Sequence, residues 1–233
     1  MTSSMAPATD RPIETQTREP VSAAVVWLHG LGADGYDFAG IVPELRLASD
    51  FGVRFVFPHA PMRPVTLNNG YVMRAWYDLN FTDKGIWQEQ KHIDESVQAV
   101  HTLVAREVDR GVPAERIVLA GFSQGGVIAL HAALRSERRL AGAVVLSAPI
   151  PSLDELLARA AAANAGLPVF LGYGRYDTIG PMIYGKQVQA ALGRESYPVE
   201  WHDYPMEHSV CGEEVSDIGG FLGRVLGRPG ATP

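Results

Sequence analysis

Apolar residues along the chain fall into short, uninterrupted runs that alternate with amphipathic segments. The runs lie at residues 22–30, 52–58, 116–122, 141–149, 167–173 and 197–205. Continuous apolar runs of this length are typical of strands that are buried on both faces of a parallel sheet. A short edge strand is also predicted near residues 13–18.

The segments between the runs have helical spacing. In residues 88–110 the apolar positions recur every three or four residues and so share one helical face. These positions are Ile93, Val97, Val100, Val104 and Val108. Gly111 and Pro113 end this predicted helix. Further helices are predicted at residues 38–48, 125–136, 152–163, 181–192 and 213–226.

Alternating strands and helices predict an α/β fold with a mostly parallel central sheet and helices on both faces. We expect one domain over residues 13–228, between a loose N-terminal tail (1–12) and a short C-terminal tail (229–233). Residues 58–84 do not fit the alternation. This segment is longer than an ordinary connection and carries aromatic and apolar residues, which indicates a loop with a function.

One motif lies at the junction of a predicted strand and a predicted helix. Gly121-Phe122-Ser123-Gln124-Gly125 has the form G-x-S-x-G. In a strand–turn–helix context this is the nucleophile elbow of α/β-hydrolases. The serine backbone is strained at such a bend, and side chains at Gly121 and Gly125 would collide with neighbouring turns. The alternative interpretation is a structural serine in a tight turn.

A serine nucleophile needs a base, and the chain order in this fold is serine, acid, histidine. Of the seven histidines, only His131, His202 and His208 follow Ser123. His131 lies two turns into the predicted helix, and His202 lies within the last strand run. His208 follows that strand, in the loop before the final helix. We therefore predict His208 as the base.

The acid is expected after an earlier strand, between the serine and the histidine. Asp177 follows the run that ends near residue 173 and is predicted to accept the Nδ1–H of His208. Asp154 and Glu155 instead suit the first turn of a helix. Asp203 lies within the last strand, only five residues before His208, and is less able to fold back onto the imidazole.

Two backbone N–H groups are predicted to form an oxyanion hole. One is that of Gln124, directly after the nucleophile, and the other is that of Leu31 in "LHGLGADG" after the first central strand. Gly30 and Gly32 would let this backbone approach a substrate oxygen. The predicted chemistry requires no metal and no organic cofactor.

Composition restricts partners and location. The chain has 233 residues, is 46% hydrophobic and carries a net charge of −6, without a dense basic run, so nucleic acid is not an expected partner. No stretch of about 18 apolar residues and no apolar secretory segment is present, and stable membrane insertion is not expected. Cys211 is the only cysteine, which is compatible with a reducing compartment. We expect a cytoplasmic protein.

Together these motifs resemble a known family. The stretches "WLHGLGADGYDF", "FVFPHAPMRPVTLNNGYVMRAWYDL", "LAGFSQGG", "YGRYD" and "YPMEHSV…DIGGFL" are similar to those of small bacterial carboxylesterases. These enzymes are close relatives of acyl-protein thioesterases and lysophospholipases within the α/β-hydrolase fold. The resemblance implies a hydrolase without a large cap domain, with a Ser-Asp-His triad. It also implies an apolar acyl groove covered by the segment around Leu67 to Trp76, with Trp76 and Ile179 lining the acyl site. Many family members dimerise near the active-site mouth, so a homodimer is an expectation here.

Two positions depart from the family pattern. Glycine usually precedes the histidine, but Glu207 does so here, and the strand before the acid ends in Gly172-Tyr173-Gly174 instead of His-Gly. A carboxylate beside the His208 imidazole would favour its protonated form. If the Glu207 side chain points into solvent, no effect is expected.

The predicted function is hydrolysis of carboxylic esters with short to medium acyl chains through an acyl-enzyme intermediate. Lysophospholipase or acyl-protein thioesterase activity is the enzymatic alternative. A noncatalytic module that binds lipids or a partner is the alternative from another class, because fold alone does not imply function.

Overall fold

The computed structural model describes residues 11–47 and 51–227, which form a seven-stranded sheet with helices on both faces. The sheet strands are β1 (Ile13–Gln16), β2 (Val21–Leu28), β3 (Gly52–Phe57), β8 (Ile117–Phe122), β9 (Gly142–Leu146), β10 (Val169–Gly174) and β11 (Val199–Tyr204). Their spatial order is β1-β3-β2-β8-β9-β10-β11. Among the described strands of this sheet, β1 pairs antiparallel with β3 and all other neighbours pair parallel. The predicted α/β fold is therefore confirmed.

The helices cover two separate apolar layers. They are α1 (Gln90–Asp109), α2 (Gln124–Leu134), α3 (Leu153–Ala158), α4 (Met182–Arg194) and α5 (Gly212–Leu226). α1 to α4 contribute side chains to the core on one face of the sheet, and α5 packs with a 3-10 helix (Ala39–Leu45) on the other. Within the described ranges, no helix combines the length and apolarity that a membrane crossing requires.

Two predicted helices differ in the structure. The segment predicted at 38–48 is the 3-10 helix Ala39–Leu45, which contains Pro43 and ends at a left-handed Arg46. Proline supplies no N–H to continue an α-helix; residue 48 lies outside the described residues. The helix predicted at 152–163 stops at Ala158. Beyond it, the buried Asn164 side chain binds the backbone of Ser136, Arg138 and Leu140, which holds the chain in a separate turn.

The segment at 58–84 is not the single long loop that the sequence predicted. It contains two antiparallel pairs, which extend to residue 88: β4 (Met62–Val65) with β5 (Tyr71–Arg74), and β6 (Leu79–Thr82) with β7 (Gly85–Gln88). Residues 66–70 connect the first pair: a 3-10 turn (Thr66–Asn68) is followed by Asn69 and Gly70, both with positive φ. We call residues 62–88 the hairpin segment. The predicted tails lie outside the described residues, except for residues 11 and 12.

Candidate active site

Ser123 occupies a strained bend between β8 and α2. Its backbone has φ 53° and ψ −120°, a conformation that residues other than glycine rarely adopt. A Cβ at Gly121 would overlap the Gly125 carbonyl, and a Cβ at Gly125 would overlap the Leu28 carbonyl. The predicted steric reason for both glycines is confirmed, and the serine hydroxyl is presented at the carboxyl edge of the sheet.

Three side chains from separate strand ends form a hydrogen-bonded chain. The Oγ of Ser123 lies 2.9 Å from Nε2 of His208, and Nδ1 of His208 lies 2.7 Å from Oδ2 of Asp177. Because the carboxylate only accepts, Nδ1 carries the proton and Nε2 is left to accept the serine proton. These residues follow β8, β10 and β11. The structure thus brings together the three residues that the sequence singled out.

The Asp177 carboxylate is buried but well satisfied. Its Oδ1 accepts hydrogen bonds from the backbone N–H groups of Ile179 (2.8 Å) and Gly180 (2.7 Å). Burial alone would raise the pKa of Asp177, but the hydrogen bonds from His208 and from these two amides hold it below the ordinary value. The acid is therefore ionised at neutral pH and fixed in orientation toward the imidazole.

The alternative candidates lie elsewhere. Asp203 binds Nε of Arg175 at 2.6 Å and the indole N–H of Trp201 at 2.9 Å. His202 stacks on Phe170 in the sheet. His131 is enclosed within α2, where burial lowers its pKa to about 4. Asp154 and Glu155 lie in the exposed first turn of α3.

The two predicted oxyanion donors flank Ser123. Gln124 is the first residue of α2, so its backbone N–H has no intrahelical acceptor. Leu31 lies in the turn after β2 and lines the same groove as Ser123. No acceptor contacts the Leu31 N–H among the hydrogen bonds of the described residues. Both N–H groups are free to bind a substrate oxygen.

His29 fixes the turn that carries Leu31. Its Nδ1 donates to the Gly30 carbonyl at 2.7 Å, and its Nε2 accepts from the Ala60 N–H at 3.0 Å. Burial lowers the pKa of His29 to about 4, so the ring stays neutral and both bonds persist at neutral pH. His29 was not among the residues predicted for the site, although its position directly before Gly30 was the available signal.

The Gln124 side chain joins the elbow to the hairpin segment. Its Oε1 accepts from the Trp76 backbone N–H at 2.7 Å, and its Nε2 donates to the Tyr77 carbonyl at 2.7 Å. The amide is buried, so all of its partners are protein groups. The first residue of α2 is thereby held against the segment that covers the site.

A groove of about 360 Å³ opens beside Ser123. Its walls are mainly apolar and come from the turn after β2, the hairpin segment and the loops after β9 and β10. The apolar lining residues are Leu31, Leu67, Leu79, Phe81, Ile86, Phe122, Pro149 and Ile179. Predicted Leu67 and Ile179 line this groove, as the resemblance implied, and β6 and β7 contribute Leu79, Phe81 and Ile86.

The position of Trp76 differs from the prediction that it lines the acyl site. Its side chain is not part of the wall of this groove. Its indole N–H donates to the His29 carbonyl at 2.8 Å, and its ring lies 5.2 Å from that of His29. These contacts hold the indole beneath the turn after β2. The neighbouring residue, Tyr77, lines the groove in its place.

Glu207 has an exposed side chain. Among the described residues, no hydrogen bond or ion pair joins its carboxylate to His208. Phe122 packs on the other side of the imidazole, with ring centroids 4.7 Å apart. The arrangement favours the solvent-facing alternative for Glu207.

The fold, the elbow and the Ser123–His208–Asp177 chain define an α/β-hydrolase. The chain belongs to the phospholipase/carboxylesterase family, whose family model matches residues 11–226. It is thus an enzyme of the carboxylic ester hydrolase class, a serine hydrolase that cleaves esters or thioesters.

Similar proteins agree with this membership. The chain is 38% identical over 206 residues to acyl-protein thioesterase 1 of Yarrowia lipolytica, covering 86% of this chain and 91% of that protein. It is 31% identical over 237 residues to acyl-protein thioesterase 1 of Cryptococcus neoformans, covering 94% and 99%. The crystal structure of Arabidopsis thaliana SOBER1 superposes with a TM-score of 0.81 at 28% identity, covering 88% of this chain and all of that one.

Proposed function

We propose that this protein is a carboxylesterase in which Ser123 is the nucleophile, His208 the general base and Asp177 the orienting acid. The hydrogen-bonded chain from Ser123 Oγ to Asp177 Oδ2 at the mouth of an apolar groove carries the proposal. Asp177 fixes the tautomer of His208 and stabilises the imidazolium that forms during the reaction.

The reaction has two halves. Ser123 Oγ attacks the acyl carbonyl while Nε2 of His208 takes the hydroxyl proton. The developing oxyanion accepts hydrogen bonds from the backbone N–H groups of Leu31 and Gln124. His208 then protonates the departing alkoxide or thiolate, which leaves an ester between Ser123 and the acyl group. Water attacks that ester with the same assistance and frees the acid.

Short to medium acyl chains are the proposed substrates. The groove volume of about 360 Å³ lies at the lower end of the range for small-molecule sites, about 300–1,000 Å³. Leu67 and Ile179 are proposed to contact the acyl chain.

Acyl-protein thioesterase or lysophospholipase activity is the second candidate. The relatives named acyl-protein thioesterase favour the thioesterase. Of the apolar side chains that line the groove, Phe81 and Ile179 are also exposed, as a substrate with a bulky or apolar remainder would require. Tyr71, Trp87 and Tyr176 are further exposed large apolar side chains. The same exposed residues support a homodimer, which size-exclusion chromatography with light scattering would test. The cytoplasmic location stays a prediction from the sequence.

Covalent labelling tests the proposal. A fluorophosphonate probe is expected to attach to Ser123, and Ser123→Ala to abolish both labelling and hydrolysis of p-nitrophenyl esters. Ser147→Ala is a matched control, because Ser147 also has a positive φ but lies after β9; it should retain labelling. Attachment at another residue would overturn the assignment of Ser123 as the nucleophile. Failure of the folded protein to cleave any ester would favour a noncatalytic module. Matched oxygen esters and thioesters of increasing chain length, compared by kcat/KM, separate the two enzymatic candidates.

A further inference from the structure

Polar groups of Tyr77, Gln88 and Pro149 lie together, as a polar region, in the mainly apolar groove. There, Nε2 of Gln88 donates to the hydroxyl oxygen of Tyr77 at 3.1 Å and lies 3.5 Å from the Pro149 carbonyl oxygen. All three residues line the groove that contains Ser123. The Pro149 carbonyl favours this orientation of the Gln88 amide, because the opposite orientation would bring Oε1 toward another acceptor oxygen.

The Tyr77 hydroxyl proton has no acceptor among the hydrogen bonds of the described residues. Two other buried tyrosines differ in this respect. Tyr173 donates to the Ala148 carbonyl at 2.7 Å, and Tyr204 donates to the Asp217 carboxylate at 2.9 Å. Tyr77 only accepts, from Gln88. Burial also raises the pKa of Tyr77, so its hydroxyl keeps the proton. A buried donor without an acceptor is rare in native proteins and calls for an explanation.

Gln88 offers the complementary group. Its Nε2 is used twice, but its Oε1 accepts no hydrogen bond within the described ranges. The polar region therefore presents one donor, the Tyr77 O–H, and one acceptor, Oε1 of Gln88. Outside the catalytic residues and Asp37, the remaining groove wall is mainly apolar, formed by residues such as Leu79 and Ile86. An oxygen atom carried by an otherwise apolar chain would match this arrangement.

We propose that Tyr77 is a specificity-determining residue, and that the preferred substrates carry an acceptor oxygen within the acyl chain. An ether, keto or hydroxyl oxygen would accept from the Tyr77 hydroxyl. A hydroxyl would also donate to Gln88. This inference rests on the proposed function, since it requires the acyl chain to enter this groove. A site with a hydrogen-bonding group discriminates against a chain that leaves that group unpaired.

The experiment uses p-nitrophenyl octanoate and a series in which one methylene is replaced by an ether oxygen, moved one position at a time. Ether replacement preserves chain length and cannot cyclise as a hydroxy ester can. For each position we would measure kcat/KM for the ether and the plain ester with wild type and Tyr77→Phe. The ether preference is the kcat/KM of the ether divided by that of the plain ester. Dividing the preference of wild type by that of Tyr77→Phe cancels the intrinsic reactivity of each ester.

We expect an effect when the ether oxygen is at one position, or at two neighbouring ones. There, the ether preference of wild type should exceed that of Tyr77→Phe about tenfold, which is the effect of one buried hydrogen bond. Tyr173→Phe is the matched control. It removes a buried hydroxyl that already has an acceptor and does not line the groove, and its ether preference should equal that of wild type.

Equal ratios in wild type and Tyr77→Phe at every position would overturn the inference. So would a change that affects ether and plain esters alike, since that is the signature of a structural role. If Tyr77→Phe fails to fold, inhibition of wild type by the matching acids decides: ether and plain acids of equal affinity at every position contradict the proposal. Failure of the proposed function is distinguishable, because hydrolysis of both esters would then be absent or would survive in Ser123→Ala.

Discussion

The side-chain carbonyl of Gln124 accepts a 2.7 Å hydrogen bond from the backbone N–H of Trp76. The same amide donates to the next carbonyl along the chain, so both of its ends are bound to the hairpin segment. Gln124 is also the residue whose N–H is proposed to bind the oxyanion. The groove wall and the oxyanion hole are thereby joined through one buried side chain.

Replacing this side chain should impair turnover more than substrate binding. In Gln124→Met the chain length is kept, but the Trp76 N–H and the Tyr77 carbonyl lose their buried partners, at about 1–3 kcal/mol for each group. A displaced N–H stabilises the oxyanion less, and full loss of one donor lowers kcat about 10²–10³-fold. We expect kcat to fall at least about tenfold, with KM changing less, in steady-state assays.

The exposed Gln98 on α1 supplies the control. Gln98→Met should leave kcat, KM and the unfolding temperature near those of wild type. A Gln124→Met protein that folds normally and retains wild-type kcat would show that the link has no catalytic role.

The two candidate acids can be separated by isosteric substitution. In Asp177→Asn, the oxygen that accepts from the Ile179 and Gly180 amides can be kept, which places the new NH₂ group opposite Nδ1 of His208. His208 then carries its proton on Nε2 and cannot accept that of Ser123. We expect kcat to fall about 10²–10⁴-fold, the upper value being that of a triad in the wrong tautomer, measured with p-nitrophenyl esters.

Asp203→Asn is the matched comparison, because Asp203 binds Arg175 and Trp201 instead. Its kcat should stay within about threefold of wild type, as for loss of an exposed ion pair. If Asp203→Asn were the more damaging substitution, Asp177 would not be the acid.

The central sheet and the convergence of three side chains could be predicted from the sequence. Buried strands leave long apolar runs, and parallel strands end at a common edge, so Ser123, Asp177 and His208 could be placed together from their positions after such runs. The strain at Ser123 and the need for glycine at 121 and 125 also followed from backbone sterics.

The groove wall could not be predicted in the same way. Strands β4 to β7 have four residues each, too short for a periodic signal. The choice between Trp76 and Tyr77 depended on tertiary contacts: the indole is held under the turn after β2 by the His29 carbonyl, which leaves the phenol facing the groove. The early end of the helix predicted at 152–163 could not be predicted either. It depends on the buried Asn164, whose side chain binds backbone groups that are distant in sequence.

Glu207 should have little influence on the pH dependence of catalysis. Its side chain is exposed, and exposed charge pairs contribute about 0–1 kcal/mol. In Glu207→Gly we expect the acidic limb of the kcat/KM profile to shift by less than about 0.7 pH unit, given about 1.4 kcal/mol per unit. A larger shift would restore the hypothesis that this carboxylate favours the protonated imidazole.

Glu214 predicts a loss of stability as the pH rises from 4.5 to about 8. This residue of α5 is fully buried, and neither carboxylate oxygen has a hydrogen-bond partner among the described residues. One oxygen lies so close to Gly172 of β10 that a Cβ there would overlap it. Burial, with a smaller contribution from Asp217, raises the pKa of Glu214 from 4.5 to about 8. The folded state therefore favours the protonated carboxyl.

The direction of the effect follows from proton linkage. Between pH 4.5 and about 8 the folded state binds more protons than the unfolded state, so stability falls as pH rises through this window. Glu214→Gln keeps the shape but cannot ionise, and its unfolding free energy should gain at least about 1 kcal/mol on wild type across the window. That corresponds to about 2–4 °C in Tm for a protein of this size, measurable by calorimetry. Exposed Glu213 in the same helical turn gives the control Glu213→Gln, whose Tm should follow wild type at every pH. Parallel Tm curves for Glu214→Gln and wild type would mean that the buried carboxyl does not titrate in this range.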